Sequence, residues 1–430
     1  MTDAVQKTKQ GWKRNIALFL TSQTVSLFGS SLVQYAIMWH ITMTTQSGVM
    51  MTISIICGFV PVFFLSPIAG VWADRYNRKM LIVLADALIA CVTLVLAILY
   101  LLGYGVIWML FAASAVRAVG AGIQTPAVGA ILPQIVPADR LTRVNGINSS
   151  IQSAIMIASP MASGALLTAM PLETIFFIDV VTAVLAIFIL LTLLKIPVHA
   201  KALLKQTTGY FSDLRLGVTY IRHHRFVKQF FLFFAVFFVF ITPLAMLTPL
   251  QVTRSFGNDV WRLTAIEIAF SLGMMLSGAI IAAWGGFRNR IYSMAFACII
   301  IGVCTVALGI VPVFWAYLAV MGLAGLSVPL FNTPATVLFQ EKVEQDYLGR
   351  VFGVMGMIST SVMPLSMLVY GPVADYIRIE WLLLGTGIVM CVMGLILRTN
   401  KVLVEAGAPV SRPDKRSEEH TSELQSRQVI

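Results

Sequence analysis

Charge is scarce in this sequence of 430 residues. Charged side chains make up 11% of it and hydrophobic ones 58%, whereas a typical soluble domain carries about 25% charged residues. Because long apolar runs accompany this composition, the sequence predicts an all-α integral membrane protein with many spans. Runs such as residues 230–247 do not alternate polar and apolar side chains, which argues against a membrane β-barrel.

Cysteines and acids are also few. The five cysteines lie in apolar runs without CxxC or histidine-paired spacing, so neither a metal site nor a disulfide framework is predicted. Thirty Lys and Arg residues against 19 acids give a net charge of +11. The bases lie in turns between apolar runs, where retention of positive charge in the cytoplasm explains them without nucleic acid. No P-loop is present, so ATP coupling would need a partner ATPase.

Twelve apolar segments are long enough to cross a bilayer. Every second turn is rich in bases, which predicts that these turns and both termini face the cytoplasm. His223 and His224 belong to the basic segment after the sixth span, and no third ligand nearby supports a metal site. The predicted spans are residues 15–43, 47–72, 80–102, 106–131, 142–168, 173–195, 226–252, 260–285, 291–311, 313–339, 349–373 and 380–398.

An internal repeat divides the chain into two halves. The triplet Thr125-Pro126-Ala127 recurs 208 residues later, and the pattern Asp-x-Leu-x-Arg-Val-x-Gly at 139–146 recurs at 346–353. Two parallel six-helix repeats are typical of the major facilitator fold. The predicted parts are a six-helix half at 1–195, a cytoplasmic linker at 196–225, a second six-helix half at 226–398 and a disordered tail at 399–430. Within that tail, residues 416–426 resemble a translated sequencing adapter and are predicted not to be native.

The most densely charged turn follows the second span, at residues 70–81. Asp74 stands there beside Arg75, Arg78 and Lys79. Pairing of Asp74 with Arg78 at a helix end would make a charge cluster that breaks when one half slides past the other. The alternative is a solvated turn that only sets topology. Residues 371–375 repeat the Gly-x-x-Ala-Asp core on the opposite face, so this short core alone is weak evidence for gating.

Ionisable residues inside the spans are candidate functional sites. Arg117 lies in the middle of the fourth span with Gly120 and Gln124 on the same helical face, and it would either tune a nearby acid or form a structural ion pair. Glu267, about two turns into the eighth span, is the leading acid for drug or proton binding. Its alternative is a water-reachable acid paired with Arg262.

Two further acids have alternatives within the bundle. Asp179 in the sixth span could instead pair across the bundle, and Asp86 in the third could instead belong to the cytoplasmic charge cluster. A polar stripe on the first span has two explanations, cavity lining and helix packing. Its members are Gln23, Ser26, Ser30 and Gln34. Pro160 is expected to bend the fifth span.

Several of these motifs resemble the major facilitator superfamily. Gly70-x-x-Ala73-Asp74-Arg75-x-x-Arg78-Lys79 is similar to its signature between helices two and three. The resemblance implies a latch between the halves on the cytoplasmic side, to which we also assign Asp139 and Arg143. Arg117-x-x-Gly120-x-Gly122 is similar to the fourth-helix motif, whose arginine is linked to proton coupling. The fifth span loosely matches the antiporter motif.

Longer stretches resemble the macrolide efflux (Mef-type) family of bacterial drug exporters. Among them are Glu267-Ile-Ala-Phe-Ser-x-Gly-Met and Tyr347-Leu-Gly-Arg350-Val-Phe. The resemblance implies a transporter, not an enzyme, that exports macrolides across the bacterial inner membrane by alternating access and confers resistance. A proton gradient would drive it without a cofactor. The alternatives are an exporter of another amphiphilic drug or a siderophore, and a membrane receptor that does not transport.

Overall fold

The computed structural model describes residues 2–137, 140–194, 219–284 and 286–408. Within these ranges the regular elements are helices, and twelve of them are long and apolar enough to cross a membrane, which confirms the predicted fold class. The helices are α1 (Thr2–Thr45), α2 (Gly48–Arg75), α3 (Arg78–Leu101), α4 (Ile107–Ile135), α5 (Leu141–Ala169), α6 (Leu172–Leu193), α7 (Arg225–Ser255), α8 (Val260–Trp284), α9 (Arg290–Leu308), α10 (Phe314–Lys342), α11 (Gln345–Tyr376), α12 (Ile379–Thr399) and α13 (Lys401–Ala406).

Polar side chains set several helix starts. The Ser47 hydroxyl accepts a hydrogen bond from the backbone N–H of Met50 at the start of α2. The Asn77 side chain accepts from the N–H groups of Lys79 and Met80 at the start of α3. These side chains satisfy amides that have no partner within the helix. Pro243 opens a π-helical turn in α7, because proline lacks the N–H that a regular helix needs there.

The internal repeat corresponds to matching helices in the two halves. The helices α4 and α10 each have 29 residues, and each carries its copy of the Thr-Pro-Ala triplet. In the second half, phenylalanines of α7 pack against α10. The rings of Phe237 and Phe331 stack with centroids 4.0 Å apart, and Phe230 meets Phe339 edge to face at 4.6 Å. These rings belong to the core of the second half.

The beginning of the predicted tail is folded, contrary to the prediction of disorder over 399–430. Helix α13 packs on the start of α9, with Leu403 only 2% exposed. The Asn289 side chain donates to the carbonyl of Val404 at 2.8 Å. Asn400 caps this short helix. A buried leucine and two Asn contacts are enough to hold a segment whose composition is polar. Residues 409–430, including the adapter-like segment, lie outside the described residues.

The predicted linker at 196–225 lies mostly outside the described residues, which resume at 219. The ring of His224 stacks on Tyr220 with centroids 3.9 Å apart, and its Nδ1 contacts the carbonyl of Tyr220. The Nδ1 of His223 contacts the carbonyl of Thr219 at 2.8 Å. His223 belongs to a short helical turn, and His224 has an extended backbone and precedes the first residue of α7.

Candidate functional site

The two halves touch tightly at one end of the molecule, which we call the sealed end (residues 43–52, 164–170, 250–264 and 367–380). A Cβ atom built on Gly48 of α2 would lie 2.1 Å from the carbonyl oxygen of Gly371 of α11. The Thr52 hydroxyl donates to the carbonyl of Met367 at 3.0 Å. On the other side of the molecule, a Cβ on Gly164 of α5 would lie 1.8 Å from the hydroxyl of Thr264 of α8. Glycine therefore allows the backbones of α2 and α11 to touch at this end, and it allows α5 to approach the Thr264 side chain of α8.

A charged group closes the same end. The Asp375 carboxylate accepts hydrogen bonds from the Ser47 hydroxyl at 2.8 Å and from the backbone N–H groups of Gly48 and Val49 at 2.6 and 3.0 Å. Arg254 of α7 donates to Asp375 at 2.7 Å and also to the carbonyl of Gln46. Asp375 thus caps the first turn of α2, a helix of the other half.

At the opposite end, which we call the open end (residues 70–80, 135–137, 140–147, 284, 286–290 and 342–356), the two halves are separated. Cβ atoms built on Gly70, Gly146, Gly349 and Gly353 would meet no atom within 4 Å. These glycines lie on α2, α5 and α11, the helices that join the halves at the sealed end. The described helices thus diverge from one end to the other.

The apolar core has the same asymmetry. The large core cluster of the second half takes in first-half residues that lie toward the sealed end: Tyr35, Met38, Trp39, Met43, Met51, Ile55 and Leu167. The first-half cluster near the open end, around Phe19 and Ile131, is made of first-half residues. Apolar contact between the halves is therefore concentrated at the sealed end.

Arg117 lies at the centre of a buried polar cluster. Its guanidinium donates to the carboxylate of Asp179 on α6 and to the hydroxyl of Thr93 on α3. It also donates to the carbonyl of Ser30 on α1 at 3.1 Å, and the Ser30 hydroxyl lies 3.3 Å from Asp179. The ion pair neutralises two charges that the bilayer would otherwise penalise. Four helices of the first half meet at this pair.

Asp86 lies in a second cluster, where its partners among the described residues are neutral. It is 1% exposed, and its Oδ1 accepts from the Ser26 hydroxyl at 2.7 Å and from the Gln124 amide at 2.8 Å. Its Oδ2 is buried and has no hydrogen-bond partner. The alternative that placed Asp86 in the cytoplasmic charge cluster is wrong, because the side chain faces α1 and α4 in the interior.

The polar stripe on α1 has a mixed role. Ser26 and Ser30 serve helix packing, since each binds a buried acid of its own half. The Gln23 amide nitrogen is buried and without a hydrogen-bond partner, whereas Gln34 is exposed and lies closer to the sealed end. The sequence could not separate the two explanations, because both place polar atoms on one face.

Gly120 and Pro160 take part in packing. A Cβ on Gly120 would lie 3.1 Å from the carbonyl of Ala85, so this glycine allows α3 and α4 to approach closely. Pro160 is buried inside α5 next to Ser159, whose hydroxyl is buried and has no hydrogen-bond partner.

Glu267 lies on α8, seven residues after its first residue, and is half-buried. It is close enough to Tyr35 of α1 to interact with it electrostatically across the two halves. The alternative partner Arg262 pairs instead with Asp259 at 3.2 Å. Glu267 is thus an acid of the second half that lies near the first half, three residues after Thr264 of the sealed end.

The charged turn at the open end holds its own half together. Arg78 donates to the carbonyl of Ala73 and to that of Ala130 on α4, both at 2.8 Å. Lys79 donates to the carbonyl of Leu194 after α6 at 2.9 Å. Cations at helix C-termini are stabilised by the helix dipole. These contacts join the ends of α2, α4 and α6.

The structure gives less evidence for a latch role of the other predicted latch residues. Arg75 and Arg143 are exposed. The side chain of Asp74 and the whole of Asp139 lie outside what the structure describes. The latch therefore stays a prediction.

Sequence reasoning missed Thr93, Arg254 and Asp375. Thr93 lies seven residues after Asp86 on one face of α3, a spacing that offered a signal. The signal for Asp375 was the Gly-x-x-Ala-Asp echo, which was treated as weak evidence. Its contacts with Ser47, Gly48 and Val49 show that the echo is a junction between the halves.

Known proteins resemble this chain in both sequence and fold. The family model of the Major Facilitator Superfamily matches residues 15–367. Macrolide efflux protein A of Streptococcus pyogenes is 29% identical over 384 residues, which cover 89% of this chain and 95% of that protein. Among solved structures, the nucleoside transporter NupG superposes with a TM-score of 0.68 at 15% identity, over 90% of this chain and 99% of that one. A bacterial homologue of the iron transporter ferroportin, in its inward-facing state, gives 0.67 at 14%, with the same coverage.

The family model covers well over half of the sequence, and it includes the charged turn, Arg117 and Glu267. The structural neighbours share the twelve-helix fold over nine-tenths of the chain. This chain is a multi-pass membrane transport protein and belongs to the Major Facilitator Superfamily.

Proposed function

We propose that this protein exports macrolide antibiotics across the bacterial cytoplasmic membrane and thereby confers resistance. The similarity to Macrolide efflux protein A supports the substrate class. The observation that carries the proposal is the one-ended contact between the halves, with Glu267 half-buried on α8 three residues after Thr264 of the sealed end. An acid in a mostly apolar space suits a bulky cationic amphiphile, because it supplies one charge partner without many polar groups.

Alternating access is the proposed mechanism. The open end carries Arg75, Arg78 and Lys79, so the positive-inside rule assigns it to the cytoplasm. In this conformation a drug would enter between the halves from the cytoplasm while the sealed end blocks the exit. Export then requires the contacts of Asp375 and Gly371 to separate and the open end to close.

The proposed energy source is the proton gradient, through the buried Asp86 and the half-buried Glu267. Arginine does not release a proton at physiological pH, so Arg117 is proposed to act as the ion-pair partner of Asp179. Among the described residues, the hydrogen-bond donors to Asp86 are the neutral groups of Ser26 and Gln124, so a proton is the natural counter-charge.

Accumulation of radiolabelled erythromycin in an efflux-deficient bacterial host tests this function. We expect cells that express the protein to accumulate several-fold less drug, and an uncoupler to abolish the difference. Accumulation that expression and uncoupler both leave unchanged would refute macrolide export. Susceptibility profiles across drug classes in the same host would then show whether another amphiphile is the substrate.

A further inference from the structure

A pocket of about 700 Å³ lies at the open end of the first half. It is formed by the start of α1, the start of α5 and residues just before α5. Its described lining residues include three bases and no acid, and the bases are Lys13, Arg140 and Arg143. The volume is in the range of small-molecule sites, and a concave surface lined by charges of one sign attracts ligands of the opposite sign.

The pocket lies at the depth of a membrane surface. The first and fifth apolar spans begin at Trp12 and Arg143, and both residues line the pocket. Tryptophan is enriched at this level of membrane proteins, because its ring is apolar and its N–H is polar. Trp12 is half-buried and the neighbouring Lys13 is exposed. The charged side of the pocket is therefore at the level of lipid headgroups.

Apolar side chains line the same pocket. Ile16 on α1 and Val144 on α5 are 8% and 4% exposed, and both belong to the first-half core cluster near the open end. Ile147, one turn further along α5, is 44% exposed. A small inorganic anion gains nothing from apolar contacts, whereas a phospholipid carries its phosphate next to glycerol and acyl chains. The lining therefore favours a lipid over a free anion.

Two of the three bases have no counter-charge among the residues that the structure describes. Lys13 and Arg143 are exposed and form no ion pair there. At the corresponding end of the second half, Arg290 pairs with Glu341 at 3.4 Å. A phosphate in the pocket would supply the missing negative charge through charge-assisted hydrogen bonds.

We propose that this pocket binds the headgroup of an anionic phospholipid. The phosphate is held by Lys13, Arg140 and Arg143, and Trp12 and the apolar side chains contact the glycerol and the upper part of an acyl chain. In the orientation proposed above, the lipid comes from the cytoplasmic leaflet, whose surface is negatively charged. Binding joins the starts of α1 and α5 at the end where the two halves are apart.

Native mass spectrometry of the purified full-length protein in detergent measures lipid binding without a drug or a proton gradient. Phosphatidylglycerol should bind several-fold more tightly than phosphatidylcholine, whose headgroup has no net charge. Lys13→Gln, Arg140→Gln and Arg143→Gln should each weaken phosphatidylglycerol binding roughly fivefold, the contribution of one base near an anionic membrane surface. The variant with all three changes should bind on the order of a hundredfold more weakly.

Matched variants separate this site from general attraction between charges. Arg222→Gln, Arg288→Gln and Arg398→Gln together remove three exposed bases near the ends of α7, α9 and α12 that lie toward the open end. This second triple variant should bind phosphatidylglycerol like the wild type. Trp12→Ala should weaken binding, whereas Trp108→Ala, which removes an exposed tryptophan at the far end of α4, should not.

Photo-cross-linking with a diazirine-bearing phosphatidylglycerol locates the lipid, and we expect labelled peptides that cover residues 12–16 and 140–147. Labelling confined to other peptides would overturn the proposal, as would equal affinities of the two triple variants for phosphatidylglycerol. Equal binding of phosphatidylcholine would show that the pocket does not recognise the charge of the headgroup. Displacement of phosphatidylglycerol by inorganic phosphate at similar concentrations would identify a site for free anions and contradict lipid binding.

Discussion

Two buried acids of the first half differ in their partners, and this difference separates their roles. Asp179 is paired with Arg117, whereas Asp86 accepts hydrogen bonds from the neutral groups of Ser26 and Gln124. Asp179 is near enough to Asp86 to act on it electrostatically. The nearby cation Arg117 is bound to Asp179 and not to Asp86. A protonated Asp86 avoids an uncompensated charge inside the bilayer.

We therefore expect Asp86→Asn to abolish proton-coupled export while the protein still inserts and folds. Asparagine has the shape of a protonated aspartate and can keep the hydrogen bonds of Ser26 and Gln124, but it cannot release a proton. Uncoupler-sensitive erythromycin accumulation in cells measures the effect, which should reach the level of cells without the transporter. Asp86→Glu, which keeps a carboxyl group, should retain part of the activity. Uncoupler-sensitive export by Asp86→Asn would remove Asp86 from the coupling mechanism.

The sequence was enough to identify functional side chains inside the spans, but it did not identify the contacts between them. Arg117 stands out because a charge in mid-span is rare. Its contacts with Asp179, 62 positions away, depend on how α4 and α6 are rotated about their axes. Helical periodicity fixes the face that a residue shares with its neighbours, but not the helix toward which that face turns.

Close helix contacts at the sealed end depend on glycine. A Cβ on Gly371 would lie 1.7 Å from the Thr52 hydroxyl and 2.6 Å from the carbonyl of Gly48. The hydroxyl can rotate, but the backbone carbonyl can move only if α2 and α11 separate. The contact between these helices therefore tolerates no side chain at position 371.

Gly371→Ala should destabilise this conformation by about 1 to 3 kcal/mol, the usual cost of overpacking a close contact. The midpoint of thermal aggregation in detergent measures the effect and should fall. Gly349→Ala is the matched control on the same helix, because a Cβ there meets no atom within 4 Å; its midpoint should be unchanged. Equal midpoints for both variants would show that the α2–α11 contact adds nothing to stability.

Hydropathy was enough to predict the twelve spans, whereas the polar composition of the tail led to the wrong prediction that the residues of α13 are disordered. The tail after α12 is polar, yet Leu403 is buried and Asn289 holds the carbonyl of Val404. A single buried leucine is too small a signal for a hydropathy window. The α2–α11 junction was visible as a repeated Gly-x-x-Ala-Asp motif, but its meaning required the antiparallel register.

The whole molecule is a pair of helical halves that diverge from one end. Contact at the sealed end is made by backbone at Gly48 and Gly164, by the Asp375 cap, and by apolar residues of α1 and α2. At the open end, contacts of the charged turn such as Arg78 with Ala130 remain within the first half. Movement between two conformations can therefore leave the interior of each half intact.

Closure of the open end should bring Gly70 and Gly349 together, and paired cysteines can detect it. In a variant whose five native cysteines are replaced and which still exports drug, Gly70→Cys with Gly349→Cys should form a disulfide during turnover. A disulfide needs Cα atoms about 4.4–6.8 Å apart, and in this conformation neither glycine has a neighbour within 4 Å of a built Cβ. Asp375→Asn should speed the cross-linking, because it favours closure of this end.

Gly70→Cys with Gly353→Cys, one helical turn out of register, should cross-link far more slowly. Faster cross-linking of that control pair would contradict this prediction, because it would mean that α2 and α11 meet in another register.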